Sequence, residues 1–587
     1  MTIRRTAVLF LALLAAGGLL CACTGVPTSS SPQAIEQLHI GAPATAQAIR
    51  PKAGEFPYLI VQHYLEANSI EPGEHLSAQS FLTTAAKSRW SDATVTILRE
   101  RFVSTYDAKK GTVTVSGPLY GTLDRGGVFE SGDGTQVSYV FKLAQVHGQY
   151  RIAQISPFPG LLLTSEEFQN YNPHVLYFFD NSNRYLVPDP RWTDIGAPAD
   201  PSSDRTALAK WLLNGLLAGP RASLSKAVSA DTFPAQIGDP GTAPTVVVKA
   251  VTDVEIPGSS QLDATGRLRL AAQLSQTLDY ETSGNGMEIT DGGKTVPVGA
   301  GNGSVFQASD FNRFRAPDSP DPELYYLSGH TVLGESGKPV DGPLGRGAYP
   351  LTSLALSRPD PTGPLLVAGV EGSGPSARLD VGTQGGGLKP VNVTGVTSRP
   401  SLAGLRHEVW VGAGTKLYRV TISAGGVAEQ VTQASMSQPP GGTLRAVRIS
   451  PDGARIALVF ATEAHHGQLY VGAIVRGSGQ ARIGPLDQVN PRGTSVDDVG
   501  WLSPLRMYAI GHLAGSTDPF AFDSDIDGTD WQKSLVGVAD TPDAVAVTPG
   551  GTAAWVSAGG FVWKQDGPQW KPPTGGQTPG TAPVYLE

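Results

Sequence analysis

The sequence predicts a multidomain, β-rich extracytoplasmic chain: two α+β domains followed by a β-propeller of five or six blades. Three observations carry this prediction. Helical spacing of apolar residues is confined to the first half of the 587 residues. In the second half a short apolar strand, a Ser/Thr-Pro turn and another apolar strand recur every 44 to 53 residues, the spacing of propeller blades. With 71 Gly, 46 Pro and only 16% charged residues, the chain is rich in turns.

Residues 1–22 have the layout of a lipoprotein signal peptide. Arg4 and Arg5 precede an apolar run, 7–20, that ends in Leu20-Cys21-Ala22-Cys23. Leu at −3, with small residues at −2 and −1, suits a peptidase that cuts before a cysteine already carrying diacylglycerol. Cys21 is the poorer candidate, because Leu20 at its −1 position is too large. The run is shorter than the ~18–25 apolar residues of a membrane-spanning helix, and no Ser-Arg-Arg-x-Phe-Leu pattern marks twin-arginine export. Cys23 is therefore the expected lipidation site, as an N-palmitoyl, S-diacylglycerol cysteine. The diacylglycerol supplies two chains, enough for stable anchoring on the extracytoplasmic face of the cell membrane.

Residues 23–54 read as a flexible tether. Val26-Pro27-Thr28-Ser29-Ser30-Ser31-Pro32 has no hydrophobic period, and thirty such residues span roughly 30 Å. Cys21 and Cys23 are the only cysteines, so the mature chain has no disulfide and each domain relies on its own core. The formal charge is −8, and no Lys/Arg run occurs, which argues against nucleic acid as a partner.

Residues 55–160 form the first α+β domain. Helices are expected over 57–67, with Ile60, Val61, Tyr64 and Leu65 inward, and over 76–90, with Phe81, Ala85 and Trp90. Strands follow at 94–98, 112–116, 136–146 and 150–155, the last two joined at His147-Gly148. Two helices ahead of a curled antiparallel sheet resemble the NTF2-like fold.

Residues 171–300 form the second. Val175 to Phe179 is a buried-strand signal, and a strand over 185–191 is expected to end at Pro188 and Pro190. Helices are expected over 206–218, stopped by Gly219-Pro220, and over 268–278. Residues 287–290 and 295–298 pair as a hairpin across Asp291-Gly292-Gly293-Lys294.

The stretches Tyr177-Phe178-Phe179, Val187-Pro188-Asp189-Pro190-Arg191, Leu216-Leu217-Ala218-Gly219-Pro220-Arg221 and Leu270-Ala271-Ala272-Gln273 resemble a GerMN domain. Together with Cys23-Thr24-Gly25-Val26-Pro27 and Pro32-Gln33-Ala34-Ile35, they make nearly the whole chain resemble the LpqB family of actinobacterial lipoproteins. Arg191 is expected to hold its strand end through a salt bridge or a carbonyl hydrogen bond.

The propeller is expected over 308–587. Its turns are Ser357-Arg358-Pro359-Asp360, Pro400-Ser401, Ser450-Pro451-Asp452-Gly453, Ser503-Pro504 and Thr548-Pro549-Gly550-Gly551. Val584-Tyr585-Leu586 is placed to close the ring on the first blade. Trp501, Trp555 and Trp563 fall in blade strands and are expected in the core.

Three motifs are decoys. Gly292-Gly293-Lys294-Thr295 looks like the end of a P-loop, but Glu288 stands where glycine is required. Asp523, Asp525, Asp527 and Gly528 start like a calcium loop, yet Ser534 occupies its twelfth position. His465-His466, adjacent in a strand, point to opposite faces. No nucleophile elbow, HExxH helix or metal-spaced cysteines occur.

The family resemblance implies a non-enzymatic accessory lipoprotein, with no catalytic residues, cofactor or metal. Its implied partner is the extracytoplasmic domain of a sensor histidine kinase, whose two-component output it would modulate, affecting cell-wall homeostasis and division. Propeller faces and the GerMN surface are the candidate contact areas. The alternative is an envelope scaffold that binds peptidoglycan or a surface glycan. An exposed pair of parallel aromatic rings would favour that alternative, and an exposed apolar patch would favour a protein partner.

Overall fold

The computed structural model describes residues 49–587 apart from 71–74, 100–101, 196–200, 230, 240, 279–284, 300–302, 317–322, 438–439, 463–466, 478, 539, 549, 552–553 and 574–575. The signal peptide, Cys23, most of the tether and His465-His466 lie outside the described residues. Among those described, no helix is long and apolar enough to cross a membrane.

In the N-terminal domain the helix Pro57–Ile70 buries Ile60, Val61, Tyr64 and Leu65 against a sheet. The sheet runs in the order Gln149–Ser156, Gln136–Val146, Thr112–Asp124, Thr94–Leu98, Leu161–Thr164. Its last pair is parallel, the others antiparallel. Strand Thr112–Asp124 is long enough to serve two groups of neighbours. Its first half pairs with Val103–Asp107 and Gln136–Val146, its second with Thr94–Leu98 and Phe129–Ser131.

The helix expected over 76–90 is instead two single turns, Leu76–Gln79 and Thr84–Lys87. Two competing interactions break it. The Thr83 side chain caps the second turn by accepting from Ala86 N, and the backbone at 81–83 exchanges hydrogen bonds with Ile152. Trp90 still packs inward, its indole donating to Tyr64 Oη at 3.2 Å.

The middle domain has two small sheets and two helices, Pro201–Ala218 and Ala264–Leu278. Strands Thr252–Glu255 and Met287–Asp291 are parallel neighbours, and Ala264–Leu278 is their crossover. That helix buries Leu270, Ala271, Leu274 and Leu278, and Gln273 Nε2 donates to Tyr177 O at 2.8 Å.

Strand Leu186–Thr193 pairs with Asn172–Asp180 along its whole length and does not end at the prolines. It is an edge strand, in the order Val228–Ser229, Asn172–Asp180, Leu186–Thr193. Residues 188, 190 and 192 turn their backbone nitrogens away from the partner, and Trp192 N donates to Gly127 O of the N-terminal domain. Proline is tolerated where no ladder donor is needed.

Five sheets make the propeller, one of them eight-stranded because the units 401–436 and 443–488 are joined by parallel pairing of Ser435 with Arg482 and Met436 with Ile483, so that six units follow one another round the ring. The first comprises Thr331–Gly334, Tyr325–Ser328 and, from the far end of the chain, Thr581–Val584. The others span residues 351–394, 401–436, 443–488, 494–535 and 542–579. Their innermost strands neighbour one another in a closed cycle that returns to Thr581–Val584. Tyr325 pairs with Val584, and Leu356 bridges Leu586 of the closing segment. Trp555 is fully buried, Trp501 nearly so, and Trp563 is half-buried.

The closing segment holds the ring through packing, with Ala582, Val584 and Leu586 buried among Leu351, Leu354 and Leu356. Leu586→Ala is expected to cost about 2–5 kcal/mol, read as a lower denaturant midpoint, and deletion of residues 581–587 to abolish cooperative unfolding of the propeller.

Candidate functional site

The motif Val187-Pro188-Asp189-Pro190-Arg191 converges with Gly219-Pro220-Arg221 on Asp189, whose side chain is wholly buried. Arg191 Nη1 lies 2.7 Å from Asp189 Oδ1. Arg221 gives Oδ1 its Nε at 2.8 Å and Oδ2 its backbone N at 2.9 Å. The guanidinium groups also reach backbone: Arg191 Nη2 donates to Gly219 O and Arg221 Nη2 to Pro190 O. Burial pushes the Asp189 carboxyl up, but Arg221 and Arg191 outweigh it and hold the group below its ordinary value. Arg191 thus fills both roles expected of it.

From the propeller, buried Arg455 donates Nη2 to Pro188 O at 2.5 Å. A second dock lies at the hairpin turn 180–184. There Arg406 pairs with Asp180, donates Nη1 to Ser182 Oγ at 3.0 Å and covers the Tyr185 ring. The motifs that mark the middle domain therefore weld it to the propeller.

The N-terminal domain joins the same assembly. Gly127, at φ 75°, approaches Trp192 so closely that a Cβ would lie 2.5 Å from its carbonyl oxygen. Trp192 Nε1 donates to Asp527 Oδ2 of the propeller at 3.1 Å.

Where the three domains meet lies a cleft of about 900 Å³. The N-terminal domain lines it with Arg99, Tyr120 and Phe168, and the middle domain adds Tyr171 and Trp192. The propeller contributes Arg506, Asp525, Asp527, Asp530, Trp531 and Gln532. The Phe168 ring lies 5.0 Å from Trp192 and 5.4 Å from Tyr171, and Arg99 sits 5.1 Å over Tyr120.

The acidic turn that starts like a calcium loop forms this propeller wall. Arg506 pairs with Asp523 at 2.8 Å, Asp530 at 3.3 Å and Asp525 at 3.7 Å. Asp527 accepts from Thr529 N and Oγ1 as well as Trp192. Burial, reinforced by Asp527, pushes the Asp525 carboxyl up to about 7 against the pull of Arg506. Among the described residues no group of three or more His, Cys, Asp or Glu is arranged to hold a metal ion. The P-loop decoy is likewise occupied from within: Glu255 accepts from Gly292 N at 2.6 Å and Gly293 N at 3.2 Å.

A second cavity, about 500 Å³, lies on the propeller axis. Its rim carries Pro359, Pro400, Pro451 and Pro504 from the repeated turns. Ionic groups at the axis link the innermost strands. Arg399 pairs with Asp498 and donates to Pro583 O and Val545 O; Arg448 Nη2 lies 3.1 Å from Asp498 Oδ1. Burial and the neighbouring Arg448 pull the Arg399 guanidinium down to about 10. Repeat spacing in the sequence located the turns, but gave no signal for this charge cluster or for the cleft.

Two outcomes test these assignments. Asp189→Ala leaves Arg191 and Arg221 buried without their counter-charge and is expected to cost about 3–5 kcal/mol, measured by chemical denaturation. Asp525 binds its proton more tightly folded than unfolded, so its ionisation costs stability progressively as pH rises from 3.8 to about 7. Asp525→Asn should therefore raise Tm by several degrees at pH 8 and by much less at pH 4.5.

Comparison with known proteins places this architecture. A family model described as the Lipoprotein LpqB beta-propeller domain matches residues 330–585, and one described as the Lipoprotein LpqB N-terminal domain matches residues 50–169. Lipoprotein LpqB of Rhodococcus jostii (strain RHA1) is 28% identical over 500 residues, covering 81% of this chain and 79% of that protein. Lipoprotein LpqB of Mycobacterium bovis (strain BCG / Pasteur 1173P2) is 27% identical over 614 residues, covering 97% of this chain and 98% of its own. Among solved structures, TolB from Acinetobacter baumannii overlaps 47% of this chain and 70% of its own at 14% identity, with a TM-score of 0.33. With two models of one family matched in separate domains, and likeness to named members along nearly its whole length, the chain belongs to the LpqB family of envelope lipoproteins.

Proposed function

We propose that this envelope lipoprotein, anchored through acylated Cys23, binds the extracytoplasmic domain of a sensor histidine kinase and modulates its two-component output, and with it cell-wall homeostasis and division. It acts without catalysis. The supporting observation is where apolar side chains are exposed. Among the described residues, eight of the thirteen large exposed hydrophobics belong to the N-terminal domain, including Phe56, Val103, Tyr106, Val140 and Phe158. The sheet register puts Val103 and Val140 on one face, interleaved with Thr105, Thr114, Ser116 and Ser138. A partly apolar sheet face, with the charged Asp107 and Lys142 only at its Thr112 end, suits a protein partner. It stands on the N-terminal domain and not on the propeller or middle-domain surfaces that the sequence suggested.

Regulation by such contact is a population shift: a partner that binds one signalling conformation of the kinase better than the other biases it toward that state. Sharing one membrane raises the effective concentration, so a weak contact suffices. A second reading, an envelope scaffold that binds peptidoglycan or a surface glycan, is favoured by one feature. The exposed rings of Phe56 and Tyr58 lie 6.3 Å apart and within 18° of parallel.

The test titrates the lipidated chain, in vesicles, against the purified kinase domain, with a peptidoglycan pull-down in parallel. Saturable kinase binding that falls at least tenfold in Val103→Asp/Val140→Asp is expected. Binding to peptidoglycan alone would replace the regulator reading with the scaffold, and kinase binding indifferent to the double variant would move the contact elsewhere.

A further inference from the structure

We propose that the cleft where the three domains meet is a binding site for a neutral oligosaccharide. Its volume of about 900 Å³ falls in the ~300–1,000 Å³ range of ligand sites, which favour domain interfaces. Its walls combine two chemistries in one space. Tyr120, Tyr171, Trp192 and Trp531 bring aromatic rings, each an apolar face with a polar tip. Between them stand planar hydrogen-bonding groups, including Asp525, Asp530 and Arg506. The Trp531 indole N–H is shut off from solvent and has no partner in the protein, a donor left unspent.

These features select a ligand by elimination. A hydrocarbon would strip water from the carboxylates and the Arg506 fork, which pair with one another, and would give their remaining lone pairs and N–H groups no partner. An anionic ligand, whether phosphate or uronate, would meet Asp525, Asp527 and Asp530, and a cationic one would meet Arg99 and Arg506 in the same lining. What remains is an uncharged molecule with apolar C–H faces to lie on rings and a rim of hydroxyls that both donate and accept. A pyranose has that shape, and a cleft of this size holds a short run of them. The Phe56/Tyr58 ring pair of the scaffold reading lies outside this cleft's lining, so the two are separable.

The test is calorimetric titration of the full chain with three probes: an N-acetylglucosamine hexamer, maltohexaose and a galacturonic acid hexamer. Binding of the first marks a peptidoglycan-like backbone as the source, and binding of the second a hexose polysaccharide. In either case Trp531→Ala is expected to weaken binding at least tenfold. Asp530→Asn and Gln532→Ala, both at exposed positions, keep the test valid if Trp531→Ala fails to fold, with a fivefold or greater loss expected from the pair. Phe56→Ala should leave affinity unchanged. Absence of binding by both neutral hexamers overturns the proposal, as does equal affinity for the galacturonate, or binding that survives the cleft substitutions. None of these outcomes depends on whether a kinase domain is bound.

Discussion

The buried Asp189 carboxylate is the contact on which the arrangement of domains depends. One side chain with four lone-pair positions satisfies Arg191 on its own strand and Arg221 at the end of a helix. Those guanidinium groups then engage the carbonyls of Pro190 and Gly219. The two prolines strip donors from the strand's outer edge but leave its carbonyls, and Arg455 of the propeller takes the one at Pro188. Arginine suits this work because its planar fork presents several donors at once and stays charged when buried. With Arg406 at Asp180, it makes the middle domain a wedge fixed at two points.

The propeller meets a different constraint. A ring of sheets closes only if the first and last strands meet, and here Thr581–Val584 completes the blade begun by Tyr325–Ser328. Apolar packing between blades provides the bulk of the contact, while Arg399, Asp498 and Arg448 link strands that approach the axis. Such buried charges are stable only as a set: paired, each offsets the desolvation of the other, and singly each carries a large penalty.

The three-domain cleft follows from this docking. Its aromatic residues come from all three domains, and its acidic wall carries more carboxylates than arginines, with Asp525 raised chiefly by burial and further by Asp527. A site assembled from three domains needs them held together; the Asp189 and Arg406 docks join the middle domain to the propeller, and the Trp192 N to Gly127 O bond joins it to the N-terminal domain. The exposed sheet face of the N-terminal domain is a separate feature on a separate surface. The two proposed recognition surfaces therefore do not compete for one set of residues.

Local features were legible in the residues. Helix Pro57–Ile70 and the propeller strands follow from apolar periodicity, and the blade turns from Ser/Thr-Pro spacing, because each is encoded within a few neighbouring residues. Where a distant backbone competed, local signals misled: Ile152 broke the expected 76–90 helix, and an edge position let a strand run through Pro188 and Pro190. The GerMN-like motifs were visible as strings, but their purpose was not, since Asp189 and Arg221 are brought together only by folding. By itself the sequence determined the class of chain, the order of its domains and the repeat of its propeller, and it carried the expectation of an anchor at Cys23. Only the tertiary structure decided which charges pair, which strand closes the ring and where the cleft opens. Those outcomes depend on through-space proximity of residues up to hundreds of positions apart, which no local pattern encodes.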